Sequence, residues 1–263
     1  LANQVLPHGS TKPTWNRRFG GSSLDNLYHA LPTDFGWLLT GSTNSPVSGE
    51  VAQEGRGNHD FWTVAVNSKG YLLWEKRFGG SSLDVAYNAV KATNGGFLLS
   101  GRTVSDVGGE VSEPRKGSGR RFDGWILRID DRGNKIWDKR FGGEEHVFFL
   151  NSVALDDGGF LLGGHTNSDK SGDVSEESKG GYDLWILRID ADGNKIWDRR
   201  FGGSGFESIL FSTDLTANLL KTDDGILIGG FSASPADGDV TDSSLEEGSP
   251  TSSSFSWLLK IDL

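Results

Sequence analysis

Acidic side chains recur in four related glycine turns of the sequence. The turns read SPVSGEV, SDVGGEV, SDKSGDV and SPADGDV. Carboxylates that alternate around a glycine can bind Ca²⁺ through several oxygens, so the turns are candidate calcium sites and calcium is the one candidate cofactor. The predicted metal ligands are Asp106, Glu110, Asp169, Asp173, Asp237 and Asp239, and the first turn carries Glu50. No copy matches the full EF-hand loop, so a turn capped by its own side chains is the alternative interpretation.

A second group of polar residues stands at fixed distances from four Phe-Gly-Gly segments. Amide, imidazole and carboxylate groups arranged around a common axis could hold water, an ion or a sugar hydroxyl. A polar ring that satisfies its own hydrogen bonds is the alternative. Arg102 and His165, which differ between repeats, join this group. The candidate ligand-binding residues are His29, Asn88, Asn151, Asn218, Asp25, Asp84, Glu207, Arg102 and His165.

Catalytic motifs are scarce, and we assign no catalytic residue. The chain has no cysteine, His-Glu-x-x-His pair, G-x-S-x-G elbow or P-loop, which excludes thiol chemistry and gives no support to the corresponding hydrolase and nucleotide sites. One enzymatic alternative stays open, a carbohydrate-active hydrolase or lyase. It would use Glu144 or Glu145 against Glu207 as paired carboxylates.

The elements that must position these residues follow from the tryptophans. Eight of the nine tryptophans form two series, Trp15, Trp74, Trp137 and Trp197, and Trp62, Trp125, Trp185 and Trp257. Members of the first series lie 59, 63 and 60 residues apart, and each follows a member of the second series by 12 residues wherever both are present. A fixed period of this length indicates a repeat architecture.

Each period contains four strand-like stretches, which we name a, b, c and d in chain order. Short turns rich in Asp, Asn and Gly join a to b and c to d, as in β-hairpins. Four antiparallel strands per period are typical of a propeller blade. The predicted fold is therefore all-β, a four-bladed β-propeller forming one domain over residues 1–263. The blades span about 22–79, 81–142, 144–202 and 204–263, the last completed by an N-terminal strand at 12–20.

Ring closure is predicted from the order of the strands. The series of repeats begins on a d strand at Trp15 and ends on a c strand at Trp257. Pairing these two strands would close the ring and remove its open edge. A linear β-solenoid is the alternative. In every d strand an arginine precedes the phenylalanine, and hairpin counting places Arg200 near Trp185 and Asp183. We expect it to pair with that carboxylate or to lie over an indole. A ring of arginines that faces a substrate is the alternative.

The repeat from Gly158 to Ser204, GGFLLGGHTNSDKSGDVSEESKGGYDLWILRIDADGNKIWDRRFGGS, closely resembles those of secreted bacterial β-propeller proteins, which are often joined to cell-surface sorting or adhesion modules. The resemblance covers Trp15 to Asp262. It implies export and a propeller architecture, and it supplies no catalytic set. The absence of methionine and the start at Leu1 indicate a processed or a trimmed N-terminus, and we expect a secreted or cell-surface location.

Net charge and loop lengths limit the kinds of binding partner that we expect. The formal net charge of −10 opposes nucleic acid and anionic membranes, and no apolar run is long enough to span a bilayer. The b–c loops are long, and long loops on a rigid scaffold are where binding usually occurs. We therefore expect a monomeric, noncatalytic, extracellular adhesion or ligand-binding module that recognises a glycan or a surface protein. A cofactor protein and a purely architectural role are further alternatives.

Overall fold

The computed structural model describes residues 15–208, 218–241 and 255–262. These residues form strands and connecting turns, with no helix among them. Accordingly, the described residues contain no helix that is long and apolar enough to cross a membrane.

Four antiparallel sheets follow one another along the chain, and we call them blades 1 to 4. Blade 1 contains β1 (Asp25–Thr33), β2 (Gly36–Thr43), β3 (Asp60–Asn67) and β4 (Leu72–Phe78). Blade 2 contains β5 (Asp84–Lys91), β6 (Phe97–Thr103), β7 (Asp123–Ile129) and β8 (Lys135–Phe141). Blade 3 contains β9 (Val147–Ala154), β10 (Phe160–Thr166), β11 (Asp183–Ile189) and β12 (Lys195–Phe201).

Blade 4 departs from this pattern. It contains β13 (Glu207–Ser208), β14 (Asn218–Thr222), β15 (Gly225–Ser232) and β16 (Phe255–Asp262). Both β13 and β14 pair with the same side of β15, so together they occupy the place of strand a, and β16 pairs with the other side as strand c. The prediction of an all-β fold built from four antiparallel sheets is confirmed.

The predicted closure of the ring is not observed. Residues 15–20 form no strand, and among the described residues none pairs with the outer edge of β16. The N-terminal segment nevertheless packs on blade 1 as a d strand of a preceding blade would. A Cβ added to Gly70 would lie 2.8 Å from Trp15, and a Cβ added to Gly133 would lie 2.8 Å from Trp74. Residues 12–14 of the predicted strand lie outside the described residues.

The strand-c tryptophans are the largest buried side chains of the blades. Trp62, Trp125 and Trp185 have no exposed surface. Each indole Nε1 donates to the carboxylate that follows the next tryptophan of the repeat, over 2.9 Å to Glu75 and 3.0 Å to Asp138. A buried indole N–H needs such an acceptor. This hydrogen bond explains why the two tryptophan series keep a spacing of 12.

A buried arginine joins strand d to strand c in blades 1 to 3. Arg77 pairs with Asp60 over 2.5 Å, and its guanidinium also donates to the carbonyl of Ser45 over 2.6 Å. The predicted pair of Arg200 with Asp183 is confirmed, with 3.5 Å between Nε and Oδ2. The corresponding pair in blade 2 joins Arg140 to Asp123. Because these arginines also bind carbonyls of the b–c loop, they attach that loop to the sheet.

Adjacent blades pack face to face through apolar clusters. One cluster joins blades 1 and 2 around Phe61 and Trp125, and others join blades 2 and 3 and blades 3 and 4. Blade 1 exposes more than a third of Trp37, and blade 4 exposes two thirds of Leu258. Among the described residues no apolar cluster joins blade 4 to blade 1.

Replacing Arg77 with alanine tests the buried arginine. The variant leaves Asp60 buried beside no cation, so we expect the free energy of unfolding to fall by about 3–5 kcal/mol. Urea denaturation measures it. Arg132 is exposed in the c–d hairpin of blade 2, so Arg132→Ala should change the free energy by less than about 0.5 kcal/mol. Equal losses for the two variants would contradict this account.

Candidate functional site

The long loops of the four blades meet at one end of the molecule. This loop-rich end contains the b–c loops and the d-to-a crossovers, whereas the tight hairpins lie at the opposite end. Backbone hydrogen bonds join neighbouring blades there. The N–H of Asp84 donates to the carbonyl of His59, that of Val147 to Phe122, and that of Glu207 to Tyr182. Each junction between blades is therefore built in the same way.

The acidic turns hold the Phe-Gly-Gly segments in place. In blade 2 the N–H of Gly79 donates to Glu110, and the N–H of Glu110 donates back to the carbonyl of Gly79. The same reciprocal pair forms four times, and its acidic members are Glu50, Glu110, Asp173 and Asp239. These four carboxylates therefore have a structural role, because each binds its turn to a Phe-Gly-Gly segment.

The other predicted calcium ligands also have protein partners. Asp106 pairs with Arg115 over 2.6 Å, and Asp169 and Asp237 accept backbone N–H groups. No three metal-binding side chains converge on a common point in the part of the chain that the structure describes. The structure does not bring the six predicted ligands together, and calcium binding stays a prediction.

The carboxylates predicted to rim the axis lie inside the loop framework. Asp25, Asp84 and Glu207 each accept the N–H of the second glycine of a Phe-Gly-Gly segment. Each also accepts hydroxyl groups, as Glu207 does from Ser232 over 2.7 Å. Burial raises the pKa of Asp84 to about 6. The side chains of Asp84 and Glu207 have no exposed surface, so they are not available to a ligand in this conformation.

The polar residues of the inner strands link neighbouring blades. The Nδ1 atom of His29 accepts the N–H of Ala89 in blade 2 over 3.3 Å. Asn88 accepts the hydroxyl of Ser152 in blade 3 over 2.8 Å. Asn151 is half-buried in β9, and Asn218 is the first residue of β14. His29 and Asn88 thus have partners within the protein, and a ligand at the four polar residues stays a prediction.

Arg102 and His165 are the two predicted residues that the structure brings near each other. Both occupy the middle of a Gly-x-Thr sequence at the end of strand b, where blade 1 has Ser42 and blade 4 has Phe231. The position thus differs in every blade, although a glycine always precedes it and a threonine or serine always follows it. Phe148 of blade 3 lies between the two, with ring centroids 4.7 Å from His165 and the guanidinium of Arg102 5.1 Å away.

A chain of ring contacts runs from blade 2 to blade 4 through this position. We call it the aromatic arc, and it contains Phe122, His146, Phe148, His165, Tyr182, Phe206 and Phe231. Successive ring centroids lie 4.7–5.9 Å apart, which is the distance at which aromatic rings attract each other. More than a third of Phe206 is exposed, and Tyr182 is half-buried. The arc therefore presents ring surface to solvent at the loop-rich end.

Arg102 lies over three rings at the blade 2 end of the arc. Its Cζ atom is 4.2 Å from the ring centre of Phe122, 5.1 Å from that of Phe148 and 5.5 Å from that of Tyr87. Such placement stabilises a guanidinium through the negative face of each ring. The Nε atom of Arg102 is buried and has no hydrogen-bond partner.

The histidines of the arc favour the neutral form. Burial lowers the pKa of His165 to about 3, and the positive charge of Arg102 adds to the lowering. Burial, followed by Arg121, also lowers the pKa of His146, although Glu145 opposes this. Arg102 is therefore the cation of this part of the arc at neutral pH.

The carboxylates considered for catalysis do not form an open pair. Glu145 pairs with Arg121 over 3.0 Å, and Glu144 accepts the N–H and hydroxyl of Ser118. Glu207 is enclosed by its serine partners. The described contacts therefore give each carboxylate a structural role.

A large cavity, about 840 Å³, opens at the opposite end between blades 3 and 4. Trp197, Ile261 and the blade 4 a–b turn contribute to its lining. At the two preceding junctions the corresponding tryptophan is covered by a hairpin glycine, Gly133 or Gly193. Because a c–d hairpin of the repeat fills the corresponding position at those two junctions, we do not assign the cavity to a ligand.

Most rings of the arc were missed in the sequence, although a signal for them exists. The residue before the strand-c aspartate is His59, Phe122 or Tyr182 in successive blades. The residue before the first strand-a position is Leu24, Leu83, His146 or Phe206. Positions that vary between otherwise similar repeats, and that fall beside one another in the blade, would have indicated the arc.

Comparisons with known proteins give limited information. No family model matches the chain. Regulatory protein FlaEY of Caulobacter vibrioides is similar, with 24% identity over 169 residues. The match covers 62% of this chain and 17% of the relative, so the chain spans under a fifth of the relative's length.

The neutral state of His165 predicts a pH dependence. Below about pH 6.5 the unfolded chain binds a proton that folded His165 does not, so stability falls with pH down to about 3. His165→Gln should remove this contribution, which amounts to about 2 kcal/mol at pH 5. Urea titrations at pH 7 and pH 5 measure the difference, with His59→Gln as the control. Identical pH slopes for His165→Gln and the unaltered protein would refute the prediction.

Proposed function

We propose that this protein is a noncatalytic, extracellular ligand-binding or adhesion module that recognises a glycan through its loop-rich end. The observation that carries the proposal is the aromatic arc. It is a surface of unlike residues on a scaffold whose other parts repeat from blade to blade. Repeated contacts maintain the fold, whereas unlike residues grouped at the loop-rich end are free to determine a specificity.

The composition of the arc favours carbohydrate. The C–H groups of a pyranose face carry small positive charges and pack against the negative face of an aromatic ring. Tyr182 and Phe206 lie edge to face with ring centroids 5.3 Å apart, and both retain exposed surface. A surface protein is the second candidate partner, because exposed aromatic side chains are also frequent at protein interfaces.

A binding role also fits the carboxylates and the relative. The hydrolase or lyase alternative needs two accessible carboxyl groups, and Glu145 and Glu207 both have partners within the protein. The similar protein is named a regulatory protein. A secreted or cell-surface location is part of the same proposal and rests on the resemblance of the repeats. A monomeric state is also part of the proposal.

Alanine at Tyr182 tests the glycan site. A glycan array first identifies bound sugars, and calorimetry then compares the affinity of Tyr182→Ala with that of the unaltered protein. We expect at least a tenfold loss, because truncating a central aromatic contact commonly costs more than about 1.4 kcal/mol.

Tyr71 provides the matched control, since it is 56% exposed and lies in the c–d hairpin of blade 1, at the opposite end. Tyr71→Ala should bind as the unaltered protein does. Equal affinities for both variants, or an array on which no glycan binds, would reject the proposal.

We further propose that residues 12–20 complete blade 4 in a closed ring of four blades. Trp15 and Phe19 already cover blade 1 in the manner of a preceding d strand. β16 has an outer edge without a strand partner among the described residues, and an unpaired edge readily accepts a strand.

An engineered disulfide tests the closure. The registers of the other blades place Arg17 opposite Leu258, since Arg199 stands opposite Ile186. Because the chain has no cysteine, the double variant Arg17→Cys, Leu258→Cys should form an intramolecular disulfide on oxidation. Arg17→Cys with Leu220→Cys is the control, because Leu220 lies on the inner strand. Cross-linking of the control alone, or of neither variant, would argue for an open array.

A further inference from the structure

The positive charge of Arg102 has no protein counterpart in the described residues. Five arginines of the described residues are buried. Arg77, Arg140 and Arg200 each face an aspartate of strand c. Arg188 pairs with Asp157, and Arg128 donates to backbone carbonyls. Arg102 makes only its three ring contacts, and no carboxylate of the described residues lies within ion-pair distance. A half-buried guanidinium whose donors lack acceptors is unfavourable unless a ligand or solvent supplies them.

The terminal nitrogens of Arg102 are accessible to a ligand. Its Nε atom is buried without a hydrogen-bond partner, as are the Nε atoms of Arg140 and Arg200, whereas its two terminal nitrogens keep contact with solvent. These nitrogens form a planar fork that matches the two oxygens of a carboxylate. The residue ends strand b directly below the b–c loop, so a ligand on the aromatic arc would reach it.

The charges around Arg102 favour a single negative group. Glu145 is already paired with Arg121 over 3.0 Å. His146 and His165 add no positive charge at neutral pH, because their pKa values are lowered by burial. One cation without a counterion is balanced by one monoanion, whereas a phosphate dianion would need a second cation.

We propose that the glycan bound at the arc is acidic, and that Arg102 binds the carboxylate of a uronic acid residue. The inference rests on the glycan function proposed above. In a uronic acid the carboxylate is attached to the pyranose ring itself. One sugar unit can therefore pair with Arg102 while its ring packs on an aromatic ring of the arc. The formal net charge of −10 opposes long-range attraction of anions, so selectivity depends on this local contact.

The experiment compares acidic oligosaccharides with their uncharged methyl esters. The probes are oligomers of galacturonate, of mannuronate and of hyaluronan, each measured by calorimetry against its ester. We expect at least one acid to bind at least tenfold more tightly than its ester. Arg102→Ser, which introduces the residue of blade 1, should abolish that preference, and Arg102→Lys should retain part of it.

Arg132→Ser is the matched control, because it removes the same charge from an exposed c–d hairpin at the opposite end. It should keep the full preference, and thermal melts establish that all variants are folded. Equal binding of acid and ester that still depends on Tyr182 would overturn the role of Arg102 and leave the glycan function standing. Binding restricted to neutral or sulfated glycans would also overturn the role of Arg102 and leave the glycan function standing. An array with no bound glycan would overturn both proposals.

Discussion

The buried arginine of strand d is the contact on which the loop-rich end depends. In blade 1 its guanidinium pairs with Asp60 and also binds carbonyls of Thr43 and Ser45. Sheet and loop are therefore fixed by the same charged group, in an interior where an unpaired charge would be costly. The acidic turns then bind the Phe-Gly-Gly segment that leads to the next blade. Long loops, which are usually variable in conformation, are in this way held at fixed positions on the sheet.

This framework separates the residues that maintain the fold from those that distinguish the blades. The glycines, the strand-c aspartates and the paired tryptophans recur because each satisfies a hydrogen bond or fills a junction. Ser42, Arg102, His165 and Phe231 occupy one position between such residues and share no side-chain chemistry. Their neighbours at the ends of the b–c loops vary in the same way. The aromatic rings and Arg102 thus lie at the positions where residue type varies most between repeats.

Local regularities made much of the fold predictable from the sequence. Tryptophan spacing and hairpin turns indicated four-stranded sheets, and counting across the c–d hairpin located the Arg200–Asp183 pair. The site was harder to predict, because its rings come from three blades and from loops that carry no periodic pattern. Asp84 and Glu207 were predicted to bind a ligand because of their carboxylates, but these carboxylates accept backbone N–H groups of the protein instead. Closure requires two distant segments to meet, which no local pattern specifies.

The face-to-face stacking of the blades also determines how strongly each sheet is held. Blades 2 and 3 are each covered on both sides, whereas blades 1 and 4 have apolar clusters toward one neighbour. In stacked repeats each unit is held by its nearest neighbours, so the described contacts make blades 2 and 3 the most strongly held sheets. Arg102 and Phe148 belong to the two central sheets. The Arg102 end of the aromatic arc is therefore attached to the sheets with the most neighbours, whereas its last ring, Phe231, belongs to blade 4.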